Sequence, residues 1–170
     1  MYQVLVTLLI VLTCTFWDIK EHRIPNKVTL PAIVFGIILN SYLNSWLGLR
    51  ESIFGAALGI GPLLIPFIMG VIGGGDVKLL AAVGAINGVD FVIWAFLYSA
   101  LAGGVMALSY SLIKGQLRVV ISNITFTTTS YILGIKNGSG TKGLVFAPSG
   151  LYLPYAVAIL VGTLATYALR

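Results

Sequence analysis

Apolar sequence continues almost without interruption from Ile53 to Ile113, and this run constrains the fold more than any other feature. Over the whole chain of 170 residues, 58% are hydrophobic and only 9% are charged. A water-soluble domain of this size needs more charge than that to cover its surface. The composition therefore predicts an integral membrane protein.

Six apolar segments are predicted to span the membrane as helices, in an all-α fold with one domain over residues 1–170. They are residues 2–17, 28–46, 52–72, 77–86, 91–113 and 151–169. No Lys or Arg precedes the first segment, unlike in a cleavable signal peptide, so it is expected to remain as a helix. The fourth would be only ~15–20 Å long, so its ends need protein neighbours or a polar cavity.

The segment 117–135 has apolar side chains at helical spacing and Ser and Thr on the opposite face. Basic residues flank it on both sides, so a crossing would put one basic flank on the wrong side of the membrane. We expect an interfacial helix on the cytosolic face. Its many Thr and Ile residues leave a β-hairpin as the alternative.

The basic residues predict the orientation of these spans. Eight fall on one side of the predicted membrane, and two, Arg50 and Arg170, fall on the other. Short cytosolic loops carry the excess of Lys and Arg, so the side with eight is predicted to be cytosolic. Because the basic residues occur singly between apolar runs, they indicate orientation signals and not a surface that binds nucleic acid.

Two acidic residues lie at predicted helix ends on this cytosolic side. Asp76 follows Gly73, Gly74 and Gly75, and Asp18 ends the first apolar run. A carboxylate near membrane depth is costly, and such groups usually face a polar cavity and take part in chemistry. The glycines let the backbone turn sharply or let another segment approach closely.

Each acid also has a purely structural interpretation. Asp76 would suit the N-cap of the helix that follows it. Asp18 could pair with Lys20 or Arg23, since a negative charge at the C-terminal end of a helix is otherwise disfavoured by the macrodipole. Two acids at the same membrane depth favour chemistry over these alternatives.

Few catalytic mechanisms fit the available side chains. Cys14 is the single cysteine and is expected to be buried in the first helix, while His22 is the single histidine, so no metal site is predicted. No glycine-framed serine nucleophile and no nucleotide-binding loop is present in the sequence. An aspartyl dyad fits, because two close carboxyls share a proton and can act as general base and general acid without a cofactor.

The motifs resemble those of the type IV prepilin peptidases, a family of intramembrane aspartyl proteases. The resemblance covers Asp18, Ile24-Pro25-Asn26, Gly73-x-Gly75-Asp76-x-Lys78 and Pro154-Tyr155-Ala156-Val157-Ala158-Ile159. It implies that Asp18 and Asp76 are the catalytic pair. It also implies that an active-site region for substrate is formed by Gly73, Gly74, Gly75, Lys78, Pro25 and Asn26.

The resemblance further implies an endopeptidase of the prokaryotic inner membrane with its active site facing the cytosol. Its partners would be membrane lipid and prepilin or pseudopilin substrates, cut after a glycine that ends a short basic leader. Larger members also methylate the new N-terminus and carry an additional cytosolic segment with paired cysteine motifs. The short loop after Asp18 has no cysteine, so the chain resembles the peptidase-only forms of Flp/Tad pilus systems. Archaeal preflagellin peptidases are an alternative.

A function of another class is also considered. A small membrane transporter or scaffold could use the two aspartates to relay protons or to pack helices. A proton carrier would more naturally hold its acid at mid-helix than at two helix ends. The sequence therefore favours the peptidase.

Overall fold

The computed structural model describes residues 2–68, 72–113 and 154–170. Within these ranges the chain forms five helices and no strand. The helices are α1 (Tyr2–Glu21), α2 (Asn26–Ile68), α3 (Gly74–Asn87), α4 (Val89–Ile113) and α5 (Tyr155–Leu169). The predicted all-helical fold is confirmed for these ranges, and the predicted interfacial segment 117–135 lies outside them.

Three of the helices, α1, α2 and α4, are long and apolar enough to cross a membrane. The shorter α5 is an apolar helix of 15 residues. The predicted membrane protein therefore agrees with the helix lengths and composition. The number of spans, six in the prediction, depends on how α2 is arranged and on the short helices α3 and α5.

Two antiparallel arms make up α2. The backbone angles of Asn44 (φ −121°, ψ 15°) and Ser45 (φ 53°, ψ −134°) are not helical. Across this turn the side-chain amide of Asn40 donates a hydrogen bond to the Ser52 hydroxyl at 2.9 Å, although twelve residues of straight helix would separate them by ~18 Å. Gly48 allows the close approach, because a Cβ there would collide with the carbonyl oxygen of Asn40.

The arms of α2 correspond to the second and third predicted spans, with different ends. The break at Asn44 and Ser45 lies in the polar stretch 44–51 that the sequence places between these spans, but the helix resumes directly after Ser45, so the connection is shorter than predicted. The described part of the second arm runs to Ile68, and Ile72, the predicted end, is not helical. The short turn is possible because the arms contact each other through small and polar side chains.

The centre of the bundle is α3. Every residue from Leu79 to Ile86 is buried, and a helix of 14 residues is ~21 Å long, shorter than a bilayer core. Both arms of α2 pack on its backbone, because a Cβ at Gly36, Gly55 or Gly59 would collide with main-chain atoms of α3. Gly55 and Gly59 are four residues apart in the sequence, a spacing of small residues that predicts close helix packing, and the structure confirms it.

The bundle is completed by contacts between α4 and α5. Gly103 lies under the ring of Tyr155, and Gly162 lies against the backbone and hydroxyl of Ser99. The neighbouring Gly104 has no described atom within 4 Å of the position of a Cβ. Of these two adjacent glycines, Gly103 is thus the one that makes the close helix contact. It seats the first turn of α5 next to the ends of α1 and α3.

Candidate active site

Asp18 is buried in the last turn of α1 and faces the first turn of α5. It is 1% exposed, and its Oδ2 accepts a hydrogen bond from the backbone N–H of Ala156 at 3.3 Å. Pro154 is the N-cap of α5, so Ala156 is the second helical residue and its N–H has no partner within the helix. The positive end of the α5 dipole therefore offsets the unfavourable position of Asp18 in α1.

The sequence analysis identified the cost of a charge at Asp18 but missed this partner. Pro154 was a signal for a helix start, since proline is favoured there. Its pairing with α1 could not be read from the sequence, because Asp18 and Ala156 are 138 positions apart. Lys20, one of the suggested ion-pair partners, places its ammonium 6.0 Å from the ring centroid of Trp17.

Asp76 lies in the first turn of α3 and is 6% exposed. Its Oδ2 accepts a hydrogen bond from the backbone N–H of Gly73 at 3.2 Å. Because Gly73 is the N-cap residue, the N-cap interpretation of Asp76 is wrong; the carboxylate instead bonds back to the N-cap amide from inside the helix. Its other oxygen, Oδ1, is buried and has no hydrogen-bond partner among the described residues. Such an atom calls for an explanation beyond folding.

The fold brings the two carboxyl groups into one site. Asp18 and Asp76 lie close enough for their charges to interact, and both interact with Cys14, one turn before Asp18. Cys14 is fully buried, as predicted. A carboxyl group can donate or accept a proton, and two of them in one site can do both in a single reaction. The arrangement can therefore supply an acid and a base to one reaction.

The predicted loop residues lie at the same end of the bundle. Lys78 donates a hydrogen bond from Nζ to Oδ1 of Asn26 at 2.8 Å. Gly75 packs on Ile24, since a Cβ at Gly75 would lie 2.7 Å from that of Ile24. The carbonyl of Pro25 accepts the N–H of Val28 at 3.0 Å and so starts α2. The loop between α1 and α2 is thereby docked onto the first turns of α3, beside Asp76.

A family comparison agrees with this geometry. The model of the type IV leader peptidase family matches residues 5–108, a range that includes both aspartates. The chain belongs to the type IV leader peptidase family. The family predicted from the two aspartate motifs is thereby confirmed.

Two curated relatives of this chain are named prepilin leader peptidase/N-methyltransferase. The protein from Escherichia coli (strain K12) is 31% identical over 125 residues, which cover 68% of this chain and 53% of the relative. The protein from Bacillus subtilis (strain 168) is 36% identical over 104 residues, covering 59% and 40% respectively. The chain thus spans about half or less of the length of these relatives. No solved structure matches it.

Two of the three glycines before and at the start of α3, Gly74 and Gly75, serve close approach and not a left-handed turn. Gly88 is the glycine with positive φ among the described residues, whereas Gly73 has φ −73°. A Cβ at Gly75 would collide with Ile24, and one at Gly74 would lie 3.1 Å from the ring of Phe67. Of the two roles considered from the sequence, the structure supports approach of another segment.

Tyr155 is a site residue to which the sequence analysis gave no role. It is half-buried in the first turn of α5, next to Ala156, and its phenol interacts electrostatically with Asp76. Thr15 adds a second tie to this turn, donating a hydrogen bond to the carbonyl of Ala156 at 3.2 Å. In the sequence, the family resemblance at residues 154–159 was the signal that the first turn of α5 belongs to the site.

Proposed function

We propose that this protein is an intramembrane aspartyl endopeptidase that removes the leader from type IV prepilins or pseudopilins. The observation that carries the proposal is that Asp18 and Asp76, two buried carboxyls from α1 and α3, lie close enough for their charges to interact, while Oδ1 of Asp76 has no hydrogen-bond partner among the described residues. The substrate class is supported by the names of the relatives.

The two carboxyl groups are sufficient for peptide hydrolysis. One takes a proton from water, whose oxygen attacks the carbonyl carbon of the scissile bond. The other donates its proton to the departing amine as the C–N bond breaks. Because the pair titrates as a unit, acid and base roles belong to the dyad and not to one residue. No metal or cofactor is required by this chemistry.

The topology proposed with this function has six spans: α1, both arms of α2, α3, α4 and α5. Asp18 and Asp76 then lie at the cytosolic face of a prokaryotic inner membrane, close to the basic residues Lys20, Arg23 and Lys27. Cysteine substitutions at Ser122 and Ser139 should react with membrane-impermeant reagents from the cytosolic side. Reaction of either from the opposite side would contradict the topology.

The function is tested by Asp→Asn changes scored for loss of the leader from a co-expressed prepilin. Asp18→Asn and Asp76→Asn should each abolish the size shift while membrane levels of the protein stay unchanged. Asp90→Asn is the matched control, because Asp90 is an exposed acid in the first turn of α4, at the far end of α3 from the site. Cleavage by either site variant at near wild-type rate would contradict the dyad.

We propose peptidase activity alone, without methyl transfer. The two relatives are named for both activities. The loop between α1 and α2 is short and contains no cysteine. The protein should therefore release a pilin whose new N-terminus stays unmethylated in the presence of S-adenosylmethionine, as intact mass would show.

The transporter or scaffold interpretation is not retained. It required the aspartates to act as proton relays or packing groups without hydrolysis. Membership of a leader peptidase family, over a range that contains both residues, favours the peptidase.

A further inference from the structure

The end of α3 away from Asp76 is held by a buried polar network centred on Asn40. Asn40 is 5% exposed, and its Nδ2 donates to Oγ of Ser52 at 2.9 Å and to the carbonyls of Ala85 and Ile86 at 3.0 and 2.9 Å. Ser52 donates to the carbonyl of Ala85 at 2.7 Å. Nε2 of Gln3 donates both to Oδ1 of Asn40 and to the carbonyl of Ile86 at 3.2 Å.

These carbonyls belong to the last turn of α3, where a helix leaves its C=O groups without partners. Ala85 and Ile86 are 0% and 1% exposed, so water does not reach them freely. The three donors come from α1 and from both arms of α2. Side chains of other helices therefore supply the hydrogen bonds that α3, too short to reach the membrane surface, would otherwise lack.

A second set of hydrogen bonds ties the same end of α3 to α1 and α5. Nδ2 of Asn87 donates to the Thr7 hydroxyl at 2.8 Å, and the Tyr167 hydroxyl donates to Oδ1 of Asn87 at 2.6 Å. Asn87 is the last residue of α3. The C-terminal end of α3 is thus bonded to α1, to α5 and, through Asn40 and Ser52, to both arms of α2.

The contacts along the middle of α3 do not by themselves fix the position of this helix along its axis relative to the other helices. Gly55 meets Gly84, and Gly59 meets the backbone at Leu80 and Ala81, so these surfaces are smooth backbone against backbone. Smooth contacts permit sliding and rotation, whereas a buried polar group can select one register. A 14-residue helix is rigid, so its register at Ala85 sets the position of its first turn, which carries Asp76.

We propose that Asn40 is a positioning residue for the dyad: by fixing the register of α3, it sets the place of Asp76 relative to Asp18. This inference rests on the proposed peptidase function for its kinetic consequence. The juxtaposition itself, Asn40 on the last carbonyls of the helix that carries Asp76, comes from the hydrogen bonds alone.

The kinetic test is Asn40→Leu, which keeps the number and branching of the side-chain heavy atoms and removes the donors. Misplacing a reacting group by ~1 Å can cost on the order of 100-fold. We expect kcat for prepilin cleavage to fall by about 10- to 100-fold, with KM unchanged, because the substrate-facing loop is not touched. Asn40→Gln, which keeps the carboxamide, should recover part of kcat, and Ser52→Ala should give a smaller loss of the same kind.

Ser41→Ala is the matched control for these variants. Ser41 is the next residue on the same arm, and its hydroxyl donates to the carbonyl of Ile37 in its own helix at 2.6 Å. Removing it deletes a helix hydroxyl without touching α3. Its kcat should equal that of the wild type. The proposal would be overturned if Asn40→Leu raised KM and left kcat unchanged. It would also be overturned if Ser41→Ala and Asn40→Leu lowered kcat equally.

A cross-link tests the register without relying on catalysis. The pair Ile24→Cys and Gly75→Cys, in a Cys14→Ala background, joins two positions at which a Cβ added to Gly75 would lie 2.7 Å from the Cβ of Ile24. Only a small backbone adjustment separates this from disulfide distance. Oxidation should form the bond rapidly in the parent and at least several-fold more slowly when Asn40→Leu is added, whereas Ser41→Ala should not change the rate.

The two measurements separate the two proposals. If the wild-type protein cleaves no prepilin, the proposed function fails, and the cross-link still decides whether Asn40 sets the register of α3. If the cross-link forms at the same rate with Asn40→Leu, the positioning role is overturned even where the dyad variants confirm the peptidase.

Discussion

The two ends of α3 differ in how their polar groups are satisfied. At the C-terminal end, side chains from three other helical segments reach the carbonyls of Ala85 and Ile86, and Asn87 has partners on both of its side-chain atoms. At the N-terminal end, Oδ1 of Asp76 is buried without a partner among the described residues. The same helix is thus stabilised at one end and left incompletely satisfied at the other.

On the proposed function, the C-terminal end of this short helix contributes to stability and the N-terminal end contributes to the reaction. Buried polar groups are normally paired, because an unpaired one costs roughly 1–3 kcal/mol. An exception beside a second buried carboxyl is expected where water or a substrate supplies the missing hydrogen bond during the reaction. In the proposed function, the satisfied end holds α3 in place and the unsatisfied end takes part in the reaction.

The largest expected effect is a contrast between one substitution at each end of α3, because the two should affect cleavage and stability in opposite ways. Asp76→Asn should abolish cleavage yet leave the thermal unfolding midpoint unchanged or higher, because it removes a buried charge beside Asp18 and keeps an oxygen for the N–H of Gly73. Asn40→Leu should lower the free energy of unfolding by about 1–3 kcal/mol, because two buried carbonyls lose a donor.

Thermal unfolding in detergent, measured for both variants with Asp90→Asn as reference, checks this reversal. A clear fall in the midpoint for Asp76→Asn would mean that the N-terminal end of α3 also depends on its carboxylate for stability. The contrast between the two ends would then be lost.

A smaller effect is expected from crowding the contact between Gly75 and Ile24. Gly75→Val would place its side chain on Ile24, push the first turn of α3 away from the α1–α2 loop, and lower kcat by about 10-fold or more. Adding Ile24→Ala should restore part of that loss by making room. Gly74→Ala is the milder comparison, because its Cβ meets only the ring edge of Phe67 at 3.1 Å.

Cleavage rates for the single and double variants give the coupling between the two positions. If Ile24→Ala does not improve the Gly75→Val protein, the glycine serves another purpose than approach to this loop. A loss for Gly74→Ala as large as that for Gly75→Val would point to mobility of the glycine segment.

The smallest effect is expected from the hydrogen bond between Lys78 and Asn26. Lys78→Met and Asn26→Ala should each lower cleavage only a few-fold, because the bond is at the surface and worth about 1 kcal/mol. The double variant should lose no more than either single one, since both remove the same contact. Additive losses would show that one of the two side chains contacts the substrate instead.

The sequence by itself determined the class of fold and the identity of the candidate catalytic residues. Long apolar runs with little charge leave few structures other than membrane-spanning helices, and acids at helix ends stand out against them. The spacing of Gly55 and Gly59 correctly indicated a close helix contact, because small residues on one helix face permit it whichever helix lies opposite.

Only the tertiary structure decided which groups support those residues. The sharp turn at Asn44 and Ser45, the N–H of Ala156 on Asp18 and the amide of Asn40 on α3 all depend on segments far apart in the chain. Periodicity and helix-end signals describe one segment at a time, whereas these hydrogen bonds arise when helices pack. A buried helix end must find donors wherever a neighbour can offer them, and the packing of the whole bundle decides which neighbour that is.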